Sequence, residues 1–188
     1  MIGVARWVSI VAHPFVMVGV MVGSAAARRN SAGEVVRSVL IVLAFTIVPL
    51  LVLMVRQVRA GAWQNVDASN TSERPILYVV GGLALIALLA YLALARPQSF
   101  MLRGAAATFV MLAVCALATR LIKVSLHMAF SALATTTLLL IGSPVGWVLL
   151  PVVPVLAWSR LSLARHRPAE IALGTFIGVS TGLALVLL

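Results

Sequence analysis

The sequence predicts an all-α integral membrane protein, a single bundle of six or seven transmembrane helices, and three observations carry that prediction. Of the 188 residues, 63% are hydrophobic and only 10% are charged, against roughly a quarter charged in soluble domains. The apolar residues fall in runs close to the ~20 residues that carry a helix across a bilayer. Arg and Lys stand at the ends of those runs, where a cationic side chain reaches back into the headgroups. Basic residues outnumber acidic ones 14 to 4, for a net charge of +10, and they are scattered between the runs rather than gathered on one face. That distribution argues against a nucleic-acid partner and for membrane flanks plus an anionic ligand. The single cysteine, Cys115, lies inside an apolar run and excludes an intrachain disulfide.

Trp7 to Ala27 is the first run; it is too long for a signal-peptide core, reads as a retained span, and is closed by Arg28-Arg29. Ser38 to Val55 is the second, bounded by Arg37 and Arg56. The stretch 56–74 is the longest polar segment, rich in Asn, Ser and Thr, and reads as a loop or a short interfacial helix. Pro75 to Ala95 is the third span and Gly104 to Thr119 a shorter fourth, which Arg103 and Arg120 extend by snorkelling. From Val124 to Trp158 there is no formal charge, and one straight helix of that length would rise on the order of 50 Å, against about 30 Å of hydrocarbon. The chain therefore folds back at Gly142-Ser143-Pro144-Val145-Gly146, giving spans over Ser125 to Ile141 and Trp147 to Trp158, the latter bent by Pro151 and Pro154. The last run, Ala169 to Leu188, carries Gly174, Gly178 and Gly182 at i, i+4 spacing, a smooth stripe for close helix packing. Trp7, Trp63, Trp147 and Trp158 read as interface belt residues. His13-Pro14 reads as a kink with a locally bonded histidine and receives no chemical role. No repeat, soluble domain or cofactor-binding glycine loop interrupts the series.

Seven alternating spans put the loops after the second, fourth and sixth on one face, and those loops hold most of the chemistry-bearing residues. The last is Ser159-Arg160-Leu161-Ser162-Leu163-Ala164-Arg165-His166-Arg167-Pro168-Ala169-Glu170. Pro168 suits the first turn of a helix, which puts Glu170 in that turn with His166 just ahead of it. A carboxylate four residues from an imidazole can fix its tautomer and stabilise the imidazolium, the arrangement that makes histidine a nucleophile or a base. Arg160, Arg165 and Arg167 add positive charge. The middle cluster, Lys123-Val124-Ser125-Leu126-His127, sets a hydroxyl, an imidazole and free backbone N–H groups at a helix start, which favours an anion. In the first cluster, Asp67 to Pro75, Arg74 stands at a helix entrance, ready for bidentate contact with phosphate oxygens. Each cluster taken alone also reads as an ordinary membrane boundary.

Taken together, their order and spacing resemble the type 2 phosphatidic acid phosphatase (PAP2) superfamily of membrane lipid phosphatases, described by K-x6-R-P, then P-S-G-H, then S-R-x5-H-x3-D. Ser159, Arg160, His166 and Glu170 match the third motif at every spacing, with Glu for the usual Asp; the second survives in Ser125 and His127, with Val124 and Leu126 for Pro and Gly. The first keeps Arg74-Pro75, but Asp67 stands where the family has lysine, and Lys123 is the only lysine that could replace it. The resemblance covers 67–170 of a single membrane domain. It implies that His166 attacks phosphorus to form a phosphohistidine with Glu170 orienting it. It implies too that His127 protonates the departing oxygen, and that Arg74, Arg160, Ser125 and Lys123 bind phosphate. The substrate would be a lipid phosphate or diphosphate, and the scheme requires no metal and no cofactor. Asn65-Val66-Asp67 followed by Glu73-Arg74-Pro75 is also similar to a loop of UbiA-type prenyltransferases, but Asp67 is the only aspartate and magnesium pyrophosphate wants several carboxylates. A small transporter or scaffold is the non-enzymatic alternative, since intramembrane polar residues also line transport paths. The basic residues divide nine (Arg6, Arg56, Arg59, Arg74, Arg120, Lys123, Arg160, Arg165, Arg167) to five (Arg28, Arg29, Arg37, Arg96, Arg103) in favour of the face with the clusters. In a cell (inner) membrane that predicts a cytoplasm-facing site, whereas the resemblance implies an outward-facing one.

Overall fold

A computed structural model describes residues 2–28, 30–64, 70–96 and 99–188, and every regular element among them is helical. The first span is a bent pair, α1 (Ile2–Val11) and α2 (Pro14–Ala27), angled by 42°. Pro14 opens α2, and His13 caps it: its Nδ1 accepts the N–H of Phe15 at 3.3 Å. The local bond expected of His13 is therefore present. Next, α3 (Ala32–Val42) passes through a π-helical turn at Leu43–Ile47 into α4 (Val48–Arg59). Pro49 explains the wide turn, because a proline removes one helical N–H and crowds the carbonyl of the preceding turn. The helix starts earlier than the apolar run, so Glu34 and Arg37 belong to its first turns rather than to a loop.

A 3₁₀ turn at Thr71–Glu73 leads into α5 (Arg74–Ala95), which pairs with α6 (Phe100–Ala118). Then come α7 (Leu126–Leu140), α8 (Pro144–Leu149), α9 (Val152–Ser162) and α10 (Pro168–Leu187). Among the described residues five helical stretches, α3 running into α4, α5, α6, α8 running into α9, and α10, are long and apolar enough to cross a membrane, six with the bent pair as one span. The expected all-α membrane bundle is what forms. Two further details differ from expectation. Helix α9 continues past Trp158 to Ser162, which places Arg160 on its last turn instead of in a loop. Trp63 is not a belt residue; it is buried against Met54 beside Phe15 and Leu77.

The bundle is built around α7. With 15 residues it rises only about 22 Å, short of a ~30 Å slab. Ten of its side chains are buried, among them Ala129, Ser131, Ala132 and Ala134, whose small size lets neighbours approach on every side. The glycine stripe of α10 meets it directly. A Cβ at Gly174 would lie 2.5 Å from the Ser125 carbonyl oxygen, and one at Gly178 would lie 2.2 Å from that of Ala129. Only hydrogen fits there. On another side α2 runs parallel to α7: His13 stacks edge-on against His127 at one end. At the other end, Arg28 Nη1 donates to the carbonyl of Gly142 at 2.6 Å. Gly142 takes φ 71°, the left-handed turn that ends α7.

Candidate active site

The site forms where four helix ends meet. Leaving α9, the chain closes a Schellman turn: Ala164 N–H donates to the carbonyl of Leu161 at 2.9 Å and Arg165 N–H to that of Arg160 at 3.1 Å. Ala164 itself adopts φ 51°, where glycine is usual. That reversal carries His166 back under the start of α10. Pro168 opens α10, and Glu170 sits in its first turn, where its carboxylate accepts Arg167 N–H at 3.3 Å and meets His166 Nδ1 at 2.7 Å. An ionised carboxylate only accepts, so Nδ1 carries the ring proton and Nε2 presents its lone pair. The predicted histidine and orienting carboxylate are in contact.

The middle cluster is fixed to the last by one backbone bond and one side-chain bond. Ser125 N–H donates to the Glu170 carbonyl at 3.2 Å, and Lys123 Nζ donates to the Arg165 carbonyl at 2.7 Å, 4.0 Å from Glu170 Oε2. Ser125 occupies the N-cap position of α7, yet its side chain makes no capping bond; its Oγ is buried without a hydrogen-bond partner. His127 follows within the first turn and is 5% exposed. The N–H groups of such a turn have no intrahelical acceptors.

From the first cluster, Arg74 reaches across to donate through Nη1 to the Val124 carbonyl, while its Nε is buried and unpartnered. Glu73, by contrast, is occupied structurally: it is buried, accepts Gln64 N–H and the Asn70 side-chain amide each at 3.0 Å, and closes a capping box on the turn before α5. Asp67, the departure at the family lysine position, lies outside the described residues. Lys123, expected to bind phosphate, is turned toward the α9–α10 connection, where it holds a backbone carbonyl.

Arg160 is the largest wholly buried side chain, with 1% exposure. Sequence reasoning missed what holds it. Ser9 Oγ accepts from Arg160 Nη1 at 2.7 Å, and the carbonyl of Ala5 accepts from Ser159 Oγ at 2.6 Å, so α1 forms one wall of the site. His13 joins them, its ring 5.1 Å from that of His127. The signal was there: Ala5, Ser9 and His13 recur every four residues on one face of an otherwise apolar run.

Arg160, Arg74, Lys123 and Arg165 all act electrostatically on His166, and Arg160, His13, His166 and Arg74 act on His127. Burial first, then Arg160 and the other cations, hold the His166 imidazole well below its ordinary pKa, so it stands neutral. Among the described residues Glu170 sets its carboxylate beside that group of cations, 4.0 Å from Lys123 Nζ, and a phosphate-like anion suits the same positive surroundings. Among the described residues no three His, Cys, Asp or Glu side chains converge as metal ligands.

Comparison with protein-family models, curated proteins and solved structures finds no match to this chain.

Proposed function

We propose that the protein is a membrane phosphatase that releases phosphate from a lipid phosphate or diphosphate through a phosphohistidine, as its resemblance to the type 2 phosphatidic acid phosphatases implies. The observation that carries this reading is His166 oriented by Glu170 at 2.7 Å, beside the buried Arg74, with Arg74 Nε and Ser125 Oγ both buried without a hydrogen-bond partner. In the first step His127 takes up a proton with the anionic substrate, His166 Nε2 attacks phosphorus, the P–O bond to the lipid breaks, and His127 gives that proton to the departing oxygen. A water, deprotonated by His127, then attacks phosphorus; the N–P bond breaks, and phosphate leaves with His166 restored. Arg74, Arg160, Ser125 Oγ and the N–H groups of the first turn of α7 offset charge on the phosphoryl oxygens as it spreads in the transition state. Glu170 acts through the imidazole, holding its tautomer and stabilising the cation formed on attack.

Orientation belongs to the same proposal: the nine-to-five division of basic residues favours a cytoplasm-facing site in the cell membrane. Impermeant thiol labelling of single cysteines at Ser69 and Ser31, in a Cys115→Ala background, checks it; labelling in intact cells at 69 but not at 31 reverses the orientation. The activity is tested by phosphate release from a panel of lipid phosphates, comparing the native protein with His166→Ala, with and without chelator. Release that needs His166 and survives chelation is expected. Release that continues in His166→Ala contradicts the mechanism.

A further inference from the structure

His13 lies at the joint between α1 and α2, where a capping side chain needs no particular neighbours. Its ring nonetheless stands among residues of the phosphoryl site. It meets His127 edge-on, with centroids 5.1 Å apart and planes at 85°, and Phe15 backs it at 4.6 Å. One turn earlier on the same face, Ser9 Oγ accepts from Arg160 Nη1 at 2.7 Å. One turn before that, the Ala5 carbonyl accepts from Ser159 Oγ at 2.6 Å. These two bonds tie α1 to α9 and fix the entry to the joint, so His13 is set with the anchor of Arg160 on one side and His127 on the other. The resemblance to the phosphatases covers 67–170 and assigns nothing to α1.

The cap decides what the ring can offer. His13 Nδ1 accepts Phe15 N–H at 3.3 Å, and a nitrogen that accepts carries no proton. The ring proton is therefore on Nε2. His166 has the opposite tautomer, with its proton on Nδ1 toward Glu170 and a lone pair on Nε2. One histidine presents a lone pair and the other a hydrogen-bond donor. An imidazolium at His13 would repel the proton that His127 takes up with the substrate, whereas a neutral N–H adds a hydrogen bond and no charge.

We propose that His13 is a further catalytic residue, donating its Nε2–H to an oxygen of the phosphoryl group bound by Arg160 as negative charge gathers there in the transition state. No proton leaves His13; the α2 cap holds the tautomer that makes the donation available. This deepens the phosphatase reading, rests on it, and adds a residue from outside the three motifs.

The two duties of the ring separate by substitution. An asparagine sets its amide oxygen where Nδ1 stands and has no donor at the reach of Nε2, while a glutamine sets its amide N–H₂ where Nε2 stands. His13→Asn keeps the cap. Its detergent melting temperature should match that of the native protein, while kcat for phosphate release from a lipid phosphate falls by about 10²-fold. In His13→Gln the melting temperature should fall, and kcat should return to within about tenfold of native. Native kcat in His13→Asn, or equal losses of kcat in the two variants, overturns the proposal. A second arm needs no turnover. Protein with isotopically labelled histidine nitrogens is titrated in detergent micelles with inorganic phosphate, and the His13 resonances are assigned by their loss in His13→Asn. Nε2 should be protonated and Nδ1 not, and phosphate should shift the Nε2 resonance. A protonated Nδ1, or a ring indifferent to phosphate, overturns the proposal. Should no lipid phosphate be hydrolysed, a phosphate-dependent shift at Nε2 would sustain the contact and refute the phosphatase reading; hydrolysis that needs His166 but not His13 would do the reverse.

Discussion

The two sides of α7 are built in opposite ways. Against α10 it packs backbone to backbone, with Gly174 and Gly178 leaving no room for a methyl group. Toward α2, α5 and α6 a groove of about 1050 Å³ opens beside it. The tight side carries the chemistry proposed for the protein: Ser125 and Glu170 share a backbone bond, and Glu170 holds His166. The open side meets only His127. A phosphoryl transfer site tolerates little misplacement of its nucleophile, and the close packing on the tight side is what limits it.

The largest effect should come from the tight side. Glu170→Gln keeps the shape but loses the carboxylate that fixes the His166 tautomer, so kcat should fall on the order of 10² to 10⁴ with KM little changed, measured by phosphate release. A fall in affinity with kcat intact would place Glu170 on the substrate instead. Next is a paired stability test. Gly178→Ala forces a methyl group against the Ala129 carbonyl and should lower the detergent melting temperature, a cost of about 1 to 3 kcal/mol. Gly19→Ala, where nothing lies within 4 Å of a Cβ, should be neutral or gain about 0.5 to 1 kcal/mol from reduced chain entropy. Equal losses at both positions would erase the distinction between the two sides.

Ser9 offers a finer test, because it touches Arg160 and not the reacting atoms. Ser9→Ala should cost about 1 kcal/mol of transition-state stabilisation, a several-fold drop in kcat/KM, and Ser9→Thr should restore most of it. Failure of the threonine variant to rescue would leave Ser9 a packing residue. The smallest effect is on stability against pH. His166 is held neutral, its folded pKa below the unfolded one, so its contribution is complete above about 6.5 and is lost as pH falls below that value. The melting temperature should therefore drop more steeply below about pH 6.5 in the native protein than in His166→Asn; parallel curves would contradict the burial argument.

Much of this was legible in the sequence, for identifiable reasons. Apolar runs bounded by Arg and Lys located the spans, since charge and hydrocarbon length leave few alternatives. His166 and Glu170 were legible because the i, i+4 relation is local and acids are scarce. The glycine stripe predicted close packing, though not that its partner would be the helix carrying Ser125 and His127. What could not be read depends on long-range placement. Arg160 meets Ser9 across 151 residues of chain. Trp63 looked like a belt residue because burial of a loop tryptophan is decided by neighbours such as Met54 and Phe15, not by its own surroundings in sequence. The extension of α9 through Arg160 was missed because hydropathy ends at Trp158 while the backbone hydrogen bonding continues.

The central claim, that His166 is the nucleophile, is tested most directly by trapping. Purified protein is mixed with a lipid phosphate carrying radiolabelled phosphorus, quenched within seconds under alkaline denaturing conditions, and digested to locate the label. The mechanism predicts label on His166 that is stable in base, lost in acid, and absent from His166→Ala. Label on another residue, or undiminished phosphate release by His166→Ala with no labelled protein at all, would contradict it.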